Sequence, residues 1–262
     1  MGILNVTPDS FADHGRHMDV EAAVARVQTM ASEGAAICDV GAESTRPGAS
    51  PVSEDEEHRR LAPVLDALRN QPPGIPVSID TRRASVARAA LDAGAVLVND
   101  VSAGRDPAML PLVAEREAAI CLMHMRGEPA TMQDDPRYDD VVQDVAAALE
   151  GRMEAAVRAG VHEEHIILDP GIGFGKTLAH NLALLHGLPR ITLLGRPVVV
   201  GVSRKGMIGM ITGREVEDRM AGSIGVGLAA VAAGAAVLRV HDVRETADAL
   251  AGWTAARGGG GA

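Results

Sequence analysis

The segment AGAVLVNDV, residues 93–101, contains the pattern on which the fold prediction rests. A glycine ends a helical segment, an uninterrupted apolar run follows, and the polar Asn99 closes the unit. Continuous apolar runs are typical of strands that are covered on both faces, as in a parallel sheet. Glycine suits the left-handed position that ends many helices. The segment therefore predicts a helix end, a buried parallel strand and a polar strand end.

The same pattern occurs three more times along the chain. The repeats are EGAAICDVG (33–41), AGVHEEHIILDPG (159–171) and AGAAVLRVHD (233–242), so that the four helix-ending glycines are Gly34, Gly94, Gly160 and Gly234. Their spacing is about twice the ~30 residues of a βαβ unit. Further apolar runs lie between them: GILNV from residue 2, PVSID from 76, AICLMH from 119 and PVVVGVS from 197. The interleaving predicts eight strands.

The segments between these strands have helical patterns, for example residues 20–32, 53–69, 84–93, 138–159 and 220–233. Eight strand and helix units in 262 residues predict an α/β fold, a (β/α)8 TIM barrel in a single domain. We assign residues 1–257 to the barrel and residues 258–262 to a flexible Gly-rich tail. An open doubly wound sheet is the alternative fold.

Charge and composition limit the classes of partner that the chain can bind. The chain has 25 Lys and Arg against 35 Asp and Glu, a formal net charge of −10, which argues against nucleic acid or an anionic membrane as partner. A 47% hydrophobic fraction excludes a disordered chain. Cys38 and Cys121 both lie in apolar runs, and no signal-peptide pattern opens the sequence. We therefore expect reduced thiols and a cytoplasmic location.

Polar side chains end or follow seven of the eight predicted strands. They are Asn5, Asp39, Asp80, Asn99, Asp169, the run Ser203, Arg204 and Lys205, and finally Arg239 with His241. Active sites of (β/α)8 barrels lie at the carboxyl ends of the strands. Any one of these residues could simply terminate a strand, but together they predict a single polar pocket.

Two groups within this set suggest the ligand. Buried Asp80, Asn99 and Asp169 need donors, and an aminopyrimidinone edge offers adjacent N–H groups to such acceptors, with Lys205 available for the ring acceptors. A divalent metal held by the carboxylates is the alternative. The second group supplies hydroxyl or cationic partners for a phosphate, the alternative being surface salt bridges. It consists of Thr45, Arg46, Arg239 and His241.

The loop DPGIGFGKT, residues 169–177, matches no nucleotide-binding motif. Pro170 occupies the first glycine position of a Walker loop, and Lys176 stands where a Rossmann fingerprint needs its third glycine. Phe174 in this loop and Phe11 in the loop NVTPDSFADHG are the two phenylalanines of the chain. Their place in Gly- and Pro-containing loops suggests ligand stacking or lid contacts, and a hydrophobic contact beneath a loop is the alternative.

Eight motifs, in order along nearly the whole chain, resemble bacterial dihydropteroate synthases. They are NVTPDSF (from residue 5), DVGAESTRPGA (39), SIDT (78), ND (99), LMHMRG (122), LDPGIGFGK (168), GVSRK (201) and RVHDV (239). The resemblance implies a (β/α)8 transferase of folate biosynthesis. Such an enzyme joins 6-hydroxymethyl-7,8-dihydropterin diphosphate to p-aminobenzoate, and it gives 7,8-dihydropteroate and diphosphate.

The resemblance also implies roles for individual residues. The implied pterin-binding residues are Asp80, Asn99, Asp169, Lys205 and Arg239. The implied diphosphate-binding residues are Asn5, Thr45, Arg46, Arg239 and His241, with Mg2+ at Asn5. The implied p-aminobenzoate-binding residues are Pro47, Phe174, Ser203 and Lys205. The implied catalytic residues are Asp13, Arg46 and Lys205, of which Asp13 would shield positive charge on the pterin methylene carbon.

The sequence departs from the family pattern in two places. Only four residues precede Asn5, so either the start is trimmed or the barrel floor is less covered, and His14 stands where a glycine is common. The loop STRPGAS lacks the extra residue of sulfonamide-resistant relatives, so we expect sulfonamides to act as competitive inhibitors.

Apolar residues 224–233 suggest a homodimer. A pterin-binding methyltransferase barrel and a non-catalytic pterin-binding module are the alternative functions.

Overall fold

The computed structural model describes residues 1–6, 15–43 and 52–258, with the side chains of the first helix described from residue 20 onward. Its eight strands follow the eight predicted apolar runs. They are β1 (Gly2–Asn5), β2 (Cys38–Gly41), β3 (Val77–Asp80), β4 (Leu97–Asp100), β5 (Ala119–Met123), β6 (Ile166–Asp169), β7 (Val199–Val200) and β8 (Val237–Leu238).

The strands form a closed parallel barrel. β1 to β6 pair in sequence order, and β7 pairs with β8. Backbone bonds join the two sheets at both edges: Leu168 N–H donates to Pro197 O (2.9 Å), and Ile3 N–H donates to Val240 O (3.0 Å). Parallel bridges at Leu168–Val198 and Gly2–Val240 accompany these bonds. The predicted (β/α)8 barrel is confirmed, and the open sheet is excluded.

Helices cover the barrel between successive strands. They are α1 (Gly15–Ser32), α2 (Glu54–Asn70), α3 (Ala84–Asp92), α4 (Met109–Glu115), α5 (Val141–Arg158), α6 (Leu178–His186), α7 (Leu188–Thr192), α8 (Gly206–Thr212), α9 (Met220–Ala232) and α10 (Val243–Ala256). The five predicted helices correspond to α1, α2, α3, α5 and α9. The glycines predicted to end helices, Gly34, Gly94, Gly160 and Gly234, all have φ between 93° and 104°.

Strand register places the polar side chains at two levels inside the barrel. Asn5 pairs with Gly41, Gly41 with Asp80, and Asp80 with Asn99. Asp39 lies two residues before Gly41, so the expectation that β2 ends at Asp39 is wrong by two residues. Gly41 leaves room for the Asp80 side chain, because a Cβ at position 41 would lie 3.1 Å from the Asp80 Cβ.

Aliphatic side chains from strands and helices fill the main core, and Cys38 and Cys121 are buried free thiols. None of the helices in the described part of the chain is long and apolar enough to cross a membrane. Apart from Gly258, the predicted Gly-rich tail lies outside the described residues.

Candidate active site

Asp39 organises the lower level of the barrel mouth. Its carboxylate has no solvent exposure. Oδ1 accepts a hydrogen bond from Ser78 Oγ (2.6 Å), and Oδ2 accepts one from Asn99 Nδ2 (2.9 Å) and one from Arg239 Nε (2.6 Å). A buried carboxylate requires such partners to offset the loss of hydration. Asp39 therefore fixes the orientations of Asn99 and Arg239.

Arg239 joins this level to Asp80 above it. While its Nε bonds Asp39, its NH2 donates to Asp80 Oδ2 at 2.7 Å. Burial acts to lower the pKa of Arg239, but the two carboxylates outweigh it and raise the pKa above its usual range. Burial also raises the pKa of Asp80 to about 7, although Arg239 opposes this shift. The ion pair therefore keeps one permanent positive charge in a mouth lined by acids.

Asp169 and Lys205 form a second pair of opposite charges in the mouth that interact electrostatically. Asp169, the last residue of β6, accepts a hydrogen bond from Gly171 N–H (2.6 Å). Burial raises the pKa of Asp169 while Lys205 opposes the rise, and burial lowers the pKa of Lys205 to about 8 while Asp169 opposes that fall. The Lys205 ammonium donates to Ile172 O and lies 4.6 Å from the centre of the Phe174 ring.

Phe174 packs against a small cluster of buried apolar residues. The cluster consists of Val101, Met123, Met125 and Met132. The alternative expected for this phenylalanine, a hydrophobic contact beneath its loop, is thus present, and the ring also lies below the Lys205 ammonium. One face of Phe174 is fixed by packing, which gives the mouth a rigid apolar wall beside a cation.

Ser203 and His241 connect the loops that follow β7 and β8. Ser203 Oγ accepts the His241 backbone N–H (3.1 Å) and lies 3.0 Å from His241 Nδ1. The serine hydroxyl can donate to Nδ1, which places the imidazole proton on Nε2. Next to them, Arg204 has a positive φ of 57° and forms a two-point ion pair with Asp242. This pair ties the same two loops together.

Asn5 ends β1 in the upper level of the mouth, in register with Gly41 and two strands away from Asp80. No group of three or more His, Cys, Asp or Glu residues suited to hold a metal ion occurs among residues 1–6, 15–43 and 52–258. Mg2+ usually takes one or two protein oxygens and completes its octahedron with water and substrate phosphates. An amide oxygen at Asn5 fits an ion held mainly by a diphosphate.

The structure brings the described predicted residues together at one end of the barrel. This set comprises Asn5, Asp80, Asn99, Asp169, Phe174, Ser203, Lys205, Arg239 and His241. Asp13, Thr45, Arg46 and Pro47 lie outside the described residues, and so do Phe11 and His14. Sequence reasoning placed Asp39 among the polar strand ends that line one pocket but gave it no binding or catalytic role. It also gave no role to Lys176, whose single signal was its failure to match nucleotide motifs.

The chain resembles known proteins over nearly its full length. Residues 1–241 match the family described as "Pterin binding enzyme". The dihydropteroate synthase of Haemophilus influenzae is 45% identical over 255 residues, which cover 97% of this chain and 92% of the relative. The chain belongs to the dihydropteroate synthase family. This membership confirms the predicted family and the predicted function, dihydropteroate synthase. It also confirms the predicted enzyme class, a transferase of folate synthesis.

Solved structures of this family give the same result. The dihydropteroate synthase of Xanthomonas albilineans, solved with 4-aminobenzoic acid, has a TM-score of 0.92 and 50% identity, covering 98% of this chain and 92% of that one. The Yersinia pestis dihydropteroate synthase, solved as a sulfonamide drug complex, has a TM-score of 0.92 and 43% identity. The match covers 98% of this chain and 94% of the Yersinia chain.

Proposed function

We propose that the chain condenses 6-hydroxymethyl-7,8-dihydropterin diphosphate with p-aminobenzoate at the carboxyl end of its barrel, where it forms 7,8-dihydropteroate and releases diphosphate. The observation that carries the proposal is the convergence of Asp80, Asn99 and Asp169 with the cations Lys205 and Arg239 in one mouth. Hydrogen-bond acceptors that suit the flat pterin ring thus lie beside cations that suit the departing diphosphate.

The pterin is the ligand for the buried acceptor group. Asp169 uses Oδ1 for the Gly171 N–H, and Asp80 uses Oδ2 for Arg239, so each carboxylate has a second oxygen for ring N–H donors. Asn99 gives its amide N–H to Asp39, and its carbonyl oxygen is a further acceptor for ring N–H groups. Lys205 can donate to the ring acceptors once it leaves the Ile172 carbonyl.

Diphosphate binds at the cationic side of the mouth, with Arg239 and the His241 imidazole as donors. Asn5 would hold Mg2+, which supplies charge neutralisation for the leaving group when it is bound. Thr45 and Arg46 are the remaining proposed phosphate partners. Stabilising negative charge that develops on the departing diphosphate lowers the barrier to C–O cleavage. The resulting cation is delocalised into the pterin, and Asp13 is proposed to shield it.

The neutral amine of p-aminobenzoate then attacks the methylene carbon, and the new C–N bond leaves an ammonium that loses one proton to water or to the released diphosphate. Phe174 and Pro47 would flank the benzoate ring, while Ser203 and Lys205 would bind its polar ends. No protein nucleophile is needed, because loss of diphosphate already makes the carbon electrophilic. The Lys205 ammonium over the Phe174 ring supports a subsite in which an apolar aromatic wall lies next to a cation.

Diphosphate release in the presence and absence of p-aminobenzoate tests this function. We expect release to depend on p-aminobenzoate and to match the formation of dihydropteroate. Tight pterin binding without release would instead favour the non-catalytic module. Methyl transfer from a folate donor, without diphosphate release, would favour the methyltransferase barrel.

Asp169→Asn is expected to weaken binding of a pterin analogue by about 10- to 150-fold, the cost of a lost hydrogen bond to a charged group. The side-chain oxygen of the asparagine can still accept the Gly171 N–H. Its NH2 group, however, would face the N–H donors of the pterin ring and could not accept a hydrogen bond from them. Isothermal titration calorimetry measures the effect, and Asp66→Asn on the exposed face of α2 is the matched control. Unchanged pterin affinity in Asp169→Asn would refute the assignment of this pocket.

Sulfonamides are expected to compete with p-aminobenzoate, as the Yersinia pestis sulfonamide complex suggests. Initial rates at several sulfamethoxazole concentrations should give a rising KM for p-aminobenzoate with constant kcat. Turnover that does not change at high sulfamethoxazole would contradict this prediction.

We also propose a homodimer that buries the surface around α8 and α9. Met210 is 70% exposed and Ile211 is 49% exposed, and Val216 and Met220 extend the same segment. Only Ser223, Gly227 and Ala230 of α9 are buried within the described chain. Light scattering measures the mass, and Met210→Lys should shift it toward the monomer.

Two broader assignments complete the proposal. We place the chain in the cytoplasm, because reduced, buried Cys38 and Cys121 suit a reducing compartment. We also treat residues 1–257 as one domain, since a single closed barrel carries every described site residue.

A further inference from the structure

Lys176 is a buried lysine that the proposed reaction does not use. It lies in the loop between β6 and α6 and is 3% exposed. Its ammonium donates to Gly171 O (2.9 Å) and Phe174 O (2.9 Å) and lies 3.0 Å from His124 Nδ1. A longer contact of 3.4 Å joins it to the His124 backbone carbonyl. An ammonium group has three N–H donors, so these acceptors satisfy it fully.

His124 Nδ1 accepts in this contact while Lys176 is protonated. A protonated lysine has no acceptor, so Nδ1 then carries the lone pair and the imidazole proton is on Nε2. Burial lowers the pKa of Lys176 to about 7, so the ammonium form predominates below that pH. Burial, with Lys176 as the next cause, lowers the pKa of His124 to about 3. The imidazole is therefore neutral throughout the pH range of activity assays.

The loop packs so closely against the segment after β5 that its carbonyls need an internal donor. Gly171 and Gly175 both have positive φ, and a Cβ on either would collide with the carbonyl oxygens of His124 and Arg126 respectively. This approach turns loop carbonyls inward, away from water. Unpaired buried carbonyls are costly. Lys176 donates to the Phe174 carbonyl, and it gives a second N–H to the Gly171 carbonyl, which also accepts the Phe174 backbone N–H (3.0 Å).

The same loop holds two groups that contact Lys205. The Ile172 carbonyl accepts the Lys205 ammonium, and the Phe174 ring lies beneath it. Lys176 donates to the carbonyl of Gly171, directly before Ile172, and to the carbonyl of Phe174 itself. Loss of the Lys176 contacts would therefore change the position of the Phe174 ring and of the Lys205 acceptor together.

We propose that Lys176 is a positioning residue for the p-aminobenzoate subsite, acting with His124 to fix the β6–α6 loop so that Phe174 and Lys205 face the incoming amine. This inference rests on the proposed function, which assigns p-aminobenzoate to Phe174 and Lys205. Lys176 itself touches no substrate.

Steady-state kinetics on the full chain test the proposal with Lys176→Met, which keeps an unbranched side chain, one heavy atom shorter, and removes all three donors. We expect the KM for p-aminobenzoate to rise about tenfold or more, equivalent to one lost charged hydrogen bond, while kcat changes less than about threefold. The KM for the pterin diphosphate should rise less than that for p-aminobenzoate, because Phe174 serves only p-aminobenzoate whereas Lys205 serves both substrates. Val27→Ala, a core change on α1, is the control for simple destabilisation and should leave all three values near wild type.

A pair of substitutions at His124 keeps the test decisive if Lys176→Met does not fold. His124→Gln can offer an amide oxygen to Lys176 and should keep the KM for p-aminobenzoate near wild type, whereas His124→Phe removes the acceptor and should raise it. The 15N shifts of His124 in the wild type should report a neutral ring with the proton on Nε2. Equal KM values for the Gln and Phe variants, or a protonated His124, would overturn the proposal.

Phe174→Ala separates this inference from the function on which it rests. A raised KM for p-aminobenzoate in Phe174→Ala with a normal KM in Lys176→Met would overturn the role of Lys176 alone. A normal KM in Phe174→Ala would overturn the proposed p-aminobenzoate subsite.

Discussion

Replacing Arg239 with methionine is expected to lower the free energy of unfolding by about 3–5 kcal/mol, the cost of removing one partner from a buried ion pair. Asp39 would keep only Ser78 and Asn99 as partners, and Asp80 would lose its bond to Arg239. Two carboxylates would then face each other without the cation between them. Urea unfolding monitored by circular dichroism measures the change.

The same substitution is expected to reduce kcat/KM by on the order of 10³, because a donor that stabilises developing charge on the leaving group is lost. Adding Asp39→Asn to Arg239→Met removes one uncompensated buried charge, so stability should partly recover while turnover should not. A loss of stability below about 1 kcal/mol would show that the carboxylates find other partners. Recovery of turnover in the double variant would contradict the role of Arg239 at the diphosphate.

Lys205→Ala is expected to raise the KM for both substrates, each by about tenfold or more, since a single ammonium is assigned to the pterin and to p-aminobenzoate. Steady-state rates with one substrate varied and the other saturating measure the two effects separately. A change confined to one substrate would limit Lys205 to that subsite. Arg158→Ala on the exposed side of α5 provides a control in which a surface cation is removed.

The pH profile gives a second measure of Lys205. Burial lowers its pKa to about 8, so the free enzyme holds a charged ammonium below pH 8 and loses that charge above it. We expect kcat/KM in the wild type to fall as the pH rises through about 8, with a smaller fall in Lys205→Ala. An alkaline limb that is identical in both proteins would assign the titration to another group.

Local sequence signals predicted the scaffold because each of them acts over a few residues. Gly94 and Gly160 end their helices with positive φ, as expected of glycine after a helical run. Apolar runs gave the strands because both faces of a parallel sheet are buried. The end of β2 was misplaced, since Asp39 is a charged residue inside a strand and only partners from distant strands make that position favourable.

The site was predictable in its composition but not in its contacts. Asp80 and Asp169 stood out because carboxylates follow apolar runs, and the barrel brings such strand ends together. The bond from Arg239 to Asp39 joins residues 200 positions apart, and no local pattern encodes it. Lys176 was invisible as a positioning residue for the same reason, since its acceptor His124 belongs to another strand end.

A crystal structure of the chain with a non-reactive pterin diphosphate analogue tests the central claim most directly. The account predicts ring N–H groups of the analogue within hydrogen-bond distance of Asp80, Asn99 and Asp169, and phosphate oxygens next to Arg239 and His241. A heterocycle bound outside the barrel mouth, or phosphates on the Asp169 side, would contradict it.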